Sequence, residues 1–112
     1  MYLWVDDERN PPVPSWAHAK TWGEATIYLA RVDNVHTVSL DHDLGPDSPN
    51  GYQIVKWMIE HGRLPGRIIL HTANPVGRNN MREALQKVGY KIAQPVNIGA
   101  CQSCPVLIHS DV

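Results

Sequence analysis

Phenylalanine is absent from the 112 residues, and cysteine appears only at Cys101 and Cys104. Two cysteines are too few for a disulfide framework and fit a reducing compartment. No apolar run approaches the roughly 18 residues of a membrane-spanning helix, and the N-terminal YLWVDDE is acidic where a secretion signal is basic. A cytoplasmic protein is expected. Excess positive charge is missing too: ten Lys and Arg stand against eleven Asp and Glu, a formal net charge of -1. No global basic field is therefore available to hold duplex DNA, and a phosphate-bearing ligand must be recognised locally. What is present is a globular balance of 43% hydrophobic and 19% charged residues. A chain this long is expected to form one domain around one core.

The apolar run YLWV with its acids Asp6 and Asp7 reads as a buried strand at residues 2–6. RNPPVPS cannot be helical, because three prolines in four positions remove donors and bias their predecessors to extended geometry. A short strand is expected at 16–20, followed by a helix opened by the T-x-x-E box of Thr21 and Glu24. VHTVSLDHD predicts a third strand, again ending in acids, Asp41 and Asp43. A helix from about Tyr52 to His61 is stopped by Gly62, and RIILHT at 67–72 is a fourth strand. Asn74 caps a third helix with Pro75 in its first turn, and a fifth strand spans 90–93. Residues 96–112 lack a helical period, although PVLIH suits an edge strand.

Strands alternating with helices imply right-handed crossovers and a parallel sheet. The expected fold class is α/β, a flavodoxin-like doubly wound sheet of five parallel strands in the order 2-1-3-4-5, and ligands of such sheets bind beyond the strands' carboxyl ends. The first and third strands are then neighbours, which sets Asp6 and Asp7 beside Asp41 and Asp43. Carboxylates so grouped repel one another unless a cation neutralises them, and hard oxygen donors suit Mg²⁺ or Mn²⁺. The competing reading is that acids at strand ends simply face solvent.

At the end of the fourth strand, Thr72 and Asn74 precede a helix N-terminus, with Arg78 one turn inside. This is a candidate phosphate site, while the plainer alternative makes Asn74 a cap and Arg78 a solvated charge. His71 and His42 are candidate proton carriers, His71 foremost, and Asp41 is a candidate nucleophile or metal ligand. Cys101-x-x-Cys104 with His109 invites a zinc or redox reading. Too few ligands and Pro105 directly after the pair favour unpaired tail cysteines instead.

VDDE, SLDHDLG and LHTAN, in that order, resemble the receiver domains of two-component signalling. That resemblance implies Mg²⁺ at Asp6 and Asp7, a phosphoacceptor at Asp41 and a phosphoryl contact at Thr72. The receiver lysine falls on Gln94, the first receiver helix is replaced by RNPPVPS, and the last receiver helix is missing. DDERNPP, WAHAKT, SLDHDLG followed by Gly51 and Tyr52, and HTANPVG resemble more closely the cyclic-phosphate-processing receiver-like domains. This likeness implies a hydrolase or binder of cyclic phosphates, on RNA ends or nucleotides, in bacteria or phages. Residues 1–95 are accordingly expected to form a receiver-like domain, with 96–112 a tail packed on it.

The leading expectation is a metal-dependent phosphoesterase acting on a 2′,3′-cyclic RNA end or a cyclic nucleotide. Asp6, Asp7 and Asp41 hold the metal with help from Asp43; Thr72, Asn74 and Arg78 hold phosphate; and His71 or His42 moves the proton. The alternatives are a receiver-like module that sequesters a nucleotide or host protein without turnover, and an atypical phosphoacceptor.

Overall fold

A computed structural model describes residues 1–93 and 104–109. β1 (Tyr2–Val5) leads through the proline-rich loop to β2 (Ala17–Ala19), which pairs parallel to it. α1 (Trp22–Arg31) follows, and the expected capping box closes: the Thr21 side chain accepts the Glu24 N–H, while the Glu24 carboxylate accepts the Lys20 N–H. β3 (Thr37–Leu40), α2 (Gly51–His61), β4 (Arg67–Leu70), α3 (Pro75–Lys87) and β5 (Tyr90–Ala93) come next in the expected sequence. Asn50 caps α2 at one end and Gly62, left-handed at φ 65°, at the other.

Strand parity sorts the side chains. Leu3 and Val5, Val38 and Leu40, and Ile68 and Leu70 join Ala25 and Leu29 of α1, Ile54 and Met58 of α2, and Met81 and Leu85 of α3 in one core. Alternate residues point to the opposite face, where Ile69 clusters with Trp16, Ala93, Cys104 and Val106. Among the described residues the three helices thus cover one face of the sheet, which is not doubly wound as expected because the RNPPVPS loop stands where a helix would cover the other face. Among the described residues no helix is long and apolar enough to cross a membrane.

The far side of the sheet corrects the expected topology. Six strands run in the order β2-β1-β3-β4-β6-β5, where β6 (Val106–His109) is antiparallel to both its neighbours. The sheet is therefore mixed rather than five-stranded and parallel, and PVLIH supplies an interior strand instead of an edge. The physical reason lies in β4, whose Ile68, Ile69 and Leu70 are buried and require a partner on the outer side. Val106 and Leu107 are buried and fill that place, whereas Lys91 and Ile92 of β5 are exposed and suit a margin. A parallel return needs a crossover, usually helical, and the sequence after β5 has no helical period; the antiparallel return needs none. Cys104 is buried and disulfide-bonded, against the expectation of unpaired tail cysteines. Cys101 and the lysine-position residue Gln94 lie outside the described residues.

Candidate metal and phosphate site

The parallel ladder runs one residue beyond the strands and thereby aligns the site. Asp6 N–H donates to Ala19 C=O (3.1 Å), Asp41 N–H to Val5 C=O (3.0 Å) and His71 N–H to Leu40 C=O (3.0 Å). Asp6, Asp41 and His71 are held in register across three strands, and one carboxylate oxygen from each of Asp6, Asp7 and Asp41 lies within 4.8 Å of the others. Asp6, Asp7, Glu8, Arg9, Asp41, Asp43, Gly45, Thr72 and Ala73 line a cleft of about 410 Å³.

Asp6 is wholly buried and fully hydrogen-bonded. Its Oδ1 accepts the N–H groups of Glu8 (2.8 Å) and Arg9 (2.9 Å), and its Oδ2 accepts His71 Nε2 (3.0 Å) and Arg9 Nε (3.2 Å). These four donors occupy the roughly four lone-pair positions of a carboxylate. Burial works to raise the Asp6 pKa, but the Arg9, Glu8 and His71 donors outweigh it and hold the group below its ordinary value. Asp41 is shifted the other way. Burial, and then the charge on Asp6, raise it, while the hydrogen bond from Thr72 opposes the rise. Asp41 and the half-buried Asp7 offer hard oxygen donors beside the hydrogen-bonded charge of Asp6, and a divalent cation would relieve the repulsion among the three.

Glycines set the approach of the surrounding elements. A β-carbon on Gly51 would fall 2.2 Å from the Asp41 carbonyl oxygen, and the Gly51 N–H donates to His42 C=O at 2.7 Å. The start of α2 is thus seated directly on the Asp41–His42 backbone. A β-carbon on Gly77 would fall 2.3 Å from the His42 ring, so the first turn of α3 packs on that histidine.

The remaining candidates divide. Thr72 lines the cleft, hydrogen-bonds Asp41 through its side chain, and accepts the Asn74 N–H at 3.1 Å. Asn74 caps α3 through the Gly77 N–H (3.0 Å), and its Nδ2 lies 3.4 Å from His42 Nδ1. Arg78 NH1 lies 3.5 Å from the Thr72 carbonyl and does not line the cleft. Asp43 is exposed at the rim, outside the three-carboxylate group, with its Oδ1 2.9 Å from His42 Nδ1.

His71 is turned away from the cleft. Its ring stacks on Trp4 at 3.9 Å and 4°, with Nδ1 2.6 Å from Ser39 Oγ and Nε2 on Asp6. An ionised carboxylate only accepts, so Nε2 carries the proton, and a neutral ring then accepts the Ser39 hydroxyl at Nδ1. Burial drives the His71 pKa down to about 4, against the raising effect of Asp6. The ring therefore positions Asp6 and has no free nitrogen to offer a leaving group. The supporting residues Trp4 and Ser39 escape motif reasoning, and Arg9 stands in DDERNPP with no role assigned to it. Parity was the available signal, because Trp4, Ser39 and Ile69 share the helix-free face and His71 continues the Ile69 row.

A neutral buried histidine makes stability depend on pH. Below 6.5 the unfolded chain takes up a proton that folded His71 refuses until about pH 4. Its contribution is complete above pH 6.5, fades as pH falls through that window and changes no further below about 4. The span corresponds to roughly 3 kcal/mol. Urea unfolding in EDTA is expected to show this slope, and His71→Gln to flatten it. An equal slope in the variant would assign the effect to other groups.

Comparison with protein families gives a match to the cyclic-phosphate processing Receiver domain over residues 1–87. That span runs from β1 to the end of α3 and holds every cleft residue, whereas β5 and β6, where the strand order departs from expectation, lie beyond it. Neither the curated proteins nor the solved structures yield a match.

Proposed function

The chain belongs to the cyclic-phosphate processing receiver domains, and on that premise we propose that it is a metal-dependent phosphoesterase that opens a cyclic phosphate. The substrate is a 2′,3′-cyclic RNA end or a cyclic nucleotide. The observation that carries this reading is the convergence of Asp6, Asp7 and Asp41 beside Thr72 in one open cleft.

Asp7 and Asp41 would hold Mg²⁺ or Mn²⁺, with the charge of Asp6 behind them and Asp43 at the rim. A bound divalent ion supplies charge neutralisation at the phosphate and a lowered pKa for water. Thr72 would turn its one hydroxyl hydrogen from Asp41 to a phosphate oxygen once a cation takes over the Asp41 charge, while Asn74 and Arg78 act one layer back by fixing the start of α3 and the Thr72 carbonyl. Water adds to phosphorus, one ring P–O bond breaks, and the leaving oxygen takes a proton to give a linear monoester. His42, which lies outside the cleft lining under the first turn of α3 with its Nδ1 on Asp43, is the remaining histidine for that proton and would reach it only through an intervening water. His71 keeps a positioning role.

The test is mass-spectrometric product detection after incubation with Mg²⁺ or Mn²⁺ and a panel of 2′,3′- and 3′,5′-cyclic nucleotides. A product heavier than its substrate by one water, formed only with metal, supports the phosphoesterase. Intact nucleotide retained by the protein would move the assignment to a sequestering module. A phosphoryl mass increase on the chain with acetyl phosphate, lost in Asp41→Ala, would move it to a phosphoacceptor.

A further inference from the structure

The cleft has a charge imbalance that the three-carboxylate group does not resolve. Among the described residues its lining brings five carboxylates, from Asp6, Asp7, Glu8, Asp41 and Asp43, against the one guanidinium of Arg9. A cyclic phosphate diester carries its own negative charge, and even a divalent cation leaves this edge short of positive charge. The resemblance to receiver domains sets Gln94 where they carry a lysine, and glutamine has no charge to supply.

Arg9 is built into the wall from both ends. Its carbonyl accepts Trp4 Nε1 at 2.8 Å and its N–H donates to Asp6 Oδ1 at 2.9 Å, which fixes the backbone where the proline-rich loop begins. Its Nε lies 3.2 Å from Asp6 Oδ2 and its NH2 2.9 Å from the His71 carbonyl, which fixes the plane of the guanidinium. Of a guanidinium's five N–H donors, these contacts engage one on Nε and one on NH2. The others have no partner among the described residues, and the side chain is 56% exposed on the cleft wall. A pure structural anchor has no need to present a planar fork of donors to solvent, whereas a ligand with two anionic oxygens fits that fork bidentately.

Resting on the phosphoesterase reading, we propose that Arg9 binds the non-bridging oxygens of the cyclic phosphate and supplies the cation that receiver domains take from the end of the fifth strand. Arg9 forms and breaks no covalent bond. It orients the phosphate and offsets the charge that grows on its oxygens as water adds.

The experiment compares the wild-type chain with Arg9→Ala and Arg9→Lys, each loaded with Mn²⁺. The readouts are kcat and KM on the cyclic nucleotide that is turned over, Mn²⁺ affinity by electron paramagnetic resonance, and rescue by added guanidinium at millimolar concentration. Arg9→Ala is expected to lose at least about 100-fold in kcat/KM, keep Mn²⁺ affinity within about threefold, and regain part of its rate with guanidinium. Turnover within threefold of wild type would overturn the proposal. So would a loss that follows Mn²⁺ affinity, because Arg9 would then serve only to hold Asp6. If Arg9→Ala does not fold, Arg9→Lys decides, since one ammonium cannot hold Asp6, the His71 carbonyl and phosphate together: a loss above tenfold is expected, and wild-type rate overturns. If the wild type turns nothing over, the phosphoesterase reading fails and titration with inorganic phosphate in Mg²⁺ decides on Arg9. Binding weakened at least tenfold in Arg9→Ala sustains the phosphate site, and equal or absent binding in both chains removes it.

Discussion

Asp41→Asn is expected to abolish turnover of the cyclic phosphate, by at least about 1,000-fold or 4 kcal/mol in the barrier, while raising the melting temperature of the metal-free protein. The two effects share one cause. In the folded chain Asp41 is held above its ordinary pKa, first by burial and then by the charge on Asp6. An ionised group in that position opposes folding at neutral pH, and the neutral amide removes the repulsion. Asparagine keeps one oxygen for the donors that Thr72 and the Asp43 and His42 backbone present to the carboxylate. What it loses is the charge that the donor set needs. Rate measurements with Mn²⁺ and calorimetric melting in EDTA read the two effects separately. Retained turnover would remove Asp41 from the chemistry, and a lowered melting temperature would mean that its hydrogen bonds outweigh the repulsion.

Gly51→Ala is expected to destabilise the protein by about 1–3 kcal/mol and to depress turnover with it. At a helix start this substitution ordinarily helps or does little, because alanine is the better helix former. Here the added carbon would lie 2.2 Å from the Asp41 carbonyl oxygen and 3.1 Å from His42 Cα. Backbone cannot rotate aside as a side-chain tip can, so either α2 retracts and loses the Gly51 to His42 hydrogen bond, or the Asp41 segment moves. Gly23→Ala in α1 is the control. Its β-carbon would meet only Thr21 Oγ1 at an ordinary 3.8 Å, so that variant gains up to about 1 kcal/mol. Chemical denaturation of the pair is expected to give opposite signs. Equal signs would show that the close seating of α2 on the acidic edge is dispensable.

Much of this arrangement is legible in the residue pattern. The capping box at Thr21 and Glu24, the Asn74 cap, the Gly62 stop and the acids closing β1 and β3 follow from local rules that need no tertiary information. The sheet's far side is not legible in that way. Periodicity marks VLIH as a strand without naming its neighbours, and only the burial of Ile69 together with Ile68 and Leu70 reveals that β4 needs a partner on its outer side. The setting of His71 is hidden from the sequence for a related reason. Position at a strand end says that His71 is near the acids, whereas the row it continues with Ile69 decides that it lies beneath Asp6 against Trp4. Asn74 and Arg78 likewise spend their polar groups on the start of α3 and the Thr72 carbonyl, where tertiary packing rather than residue type settles their use.

On the proposed reading Asp7 and Asp41, with the charge of Asp6 behind them, take one divalent cation. Titration of Mn²⁺ into the metal-free chain, followed by electron paramagnetic resonance, tests it directly. One ion bound per chain, competed by Mg²⁺ and weakened at least tenfold in both Asp7→Asn and Asp41→Asn, is the expected result. Absence of specific binding by the wild type, or undiminished binding by the two variants, would contradict it.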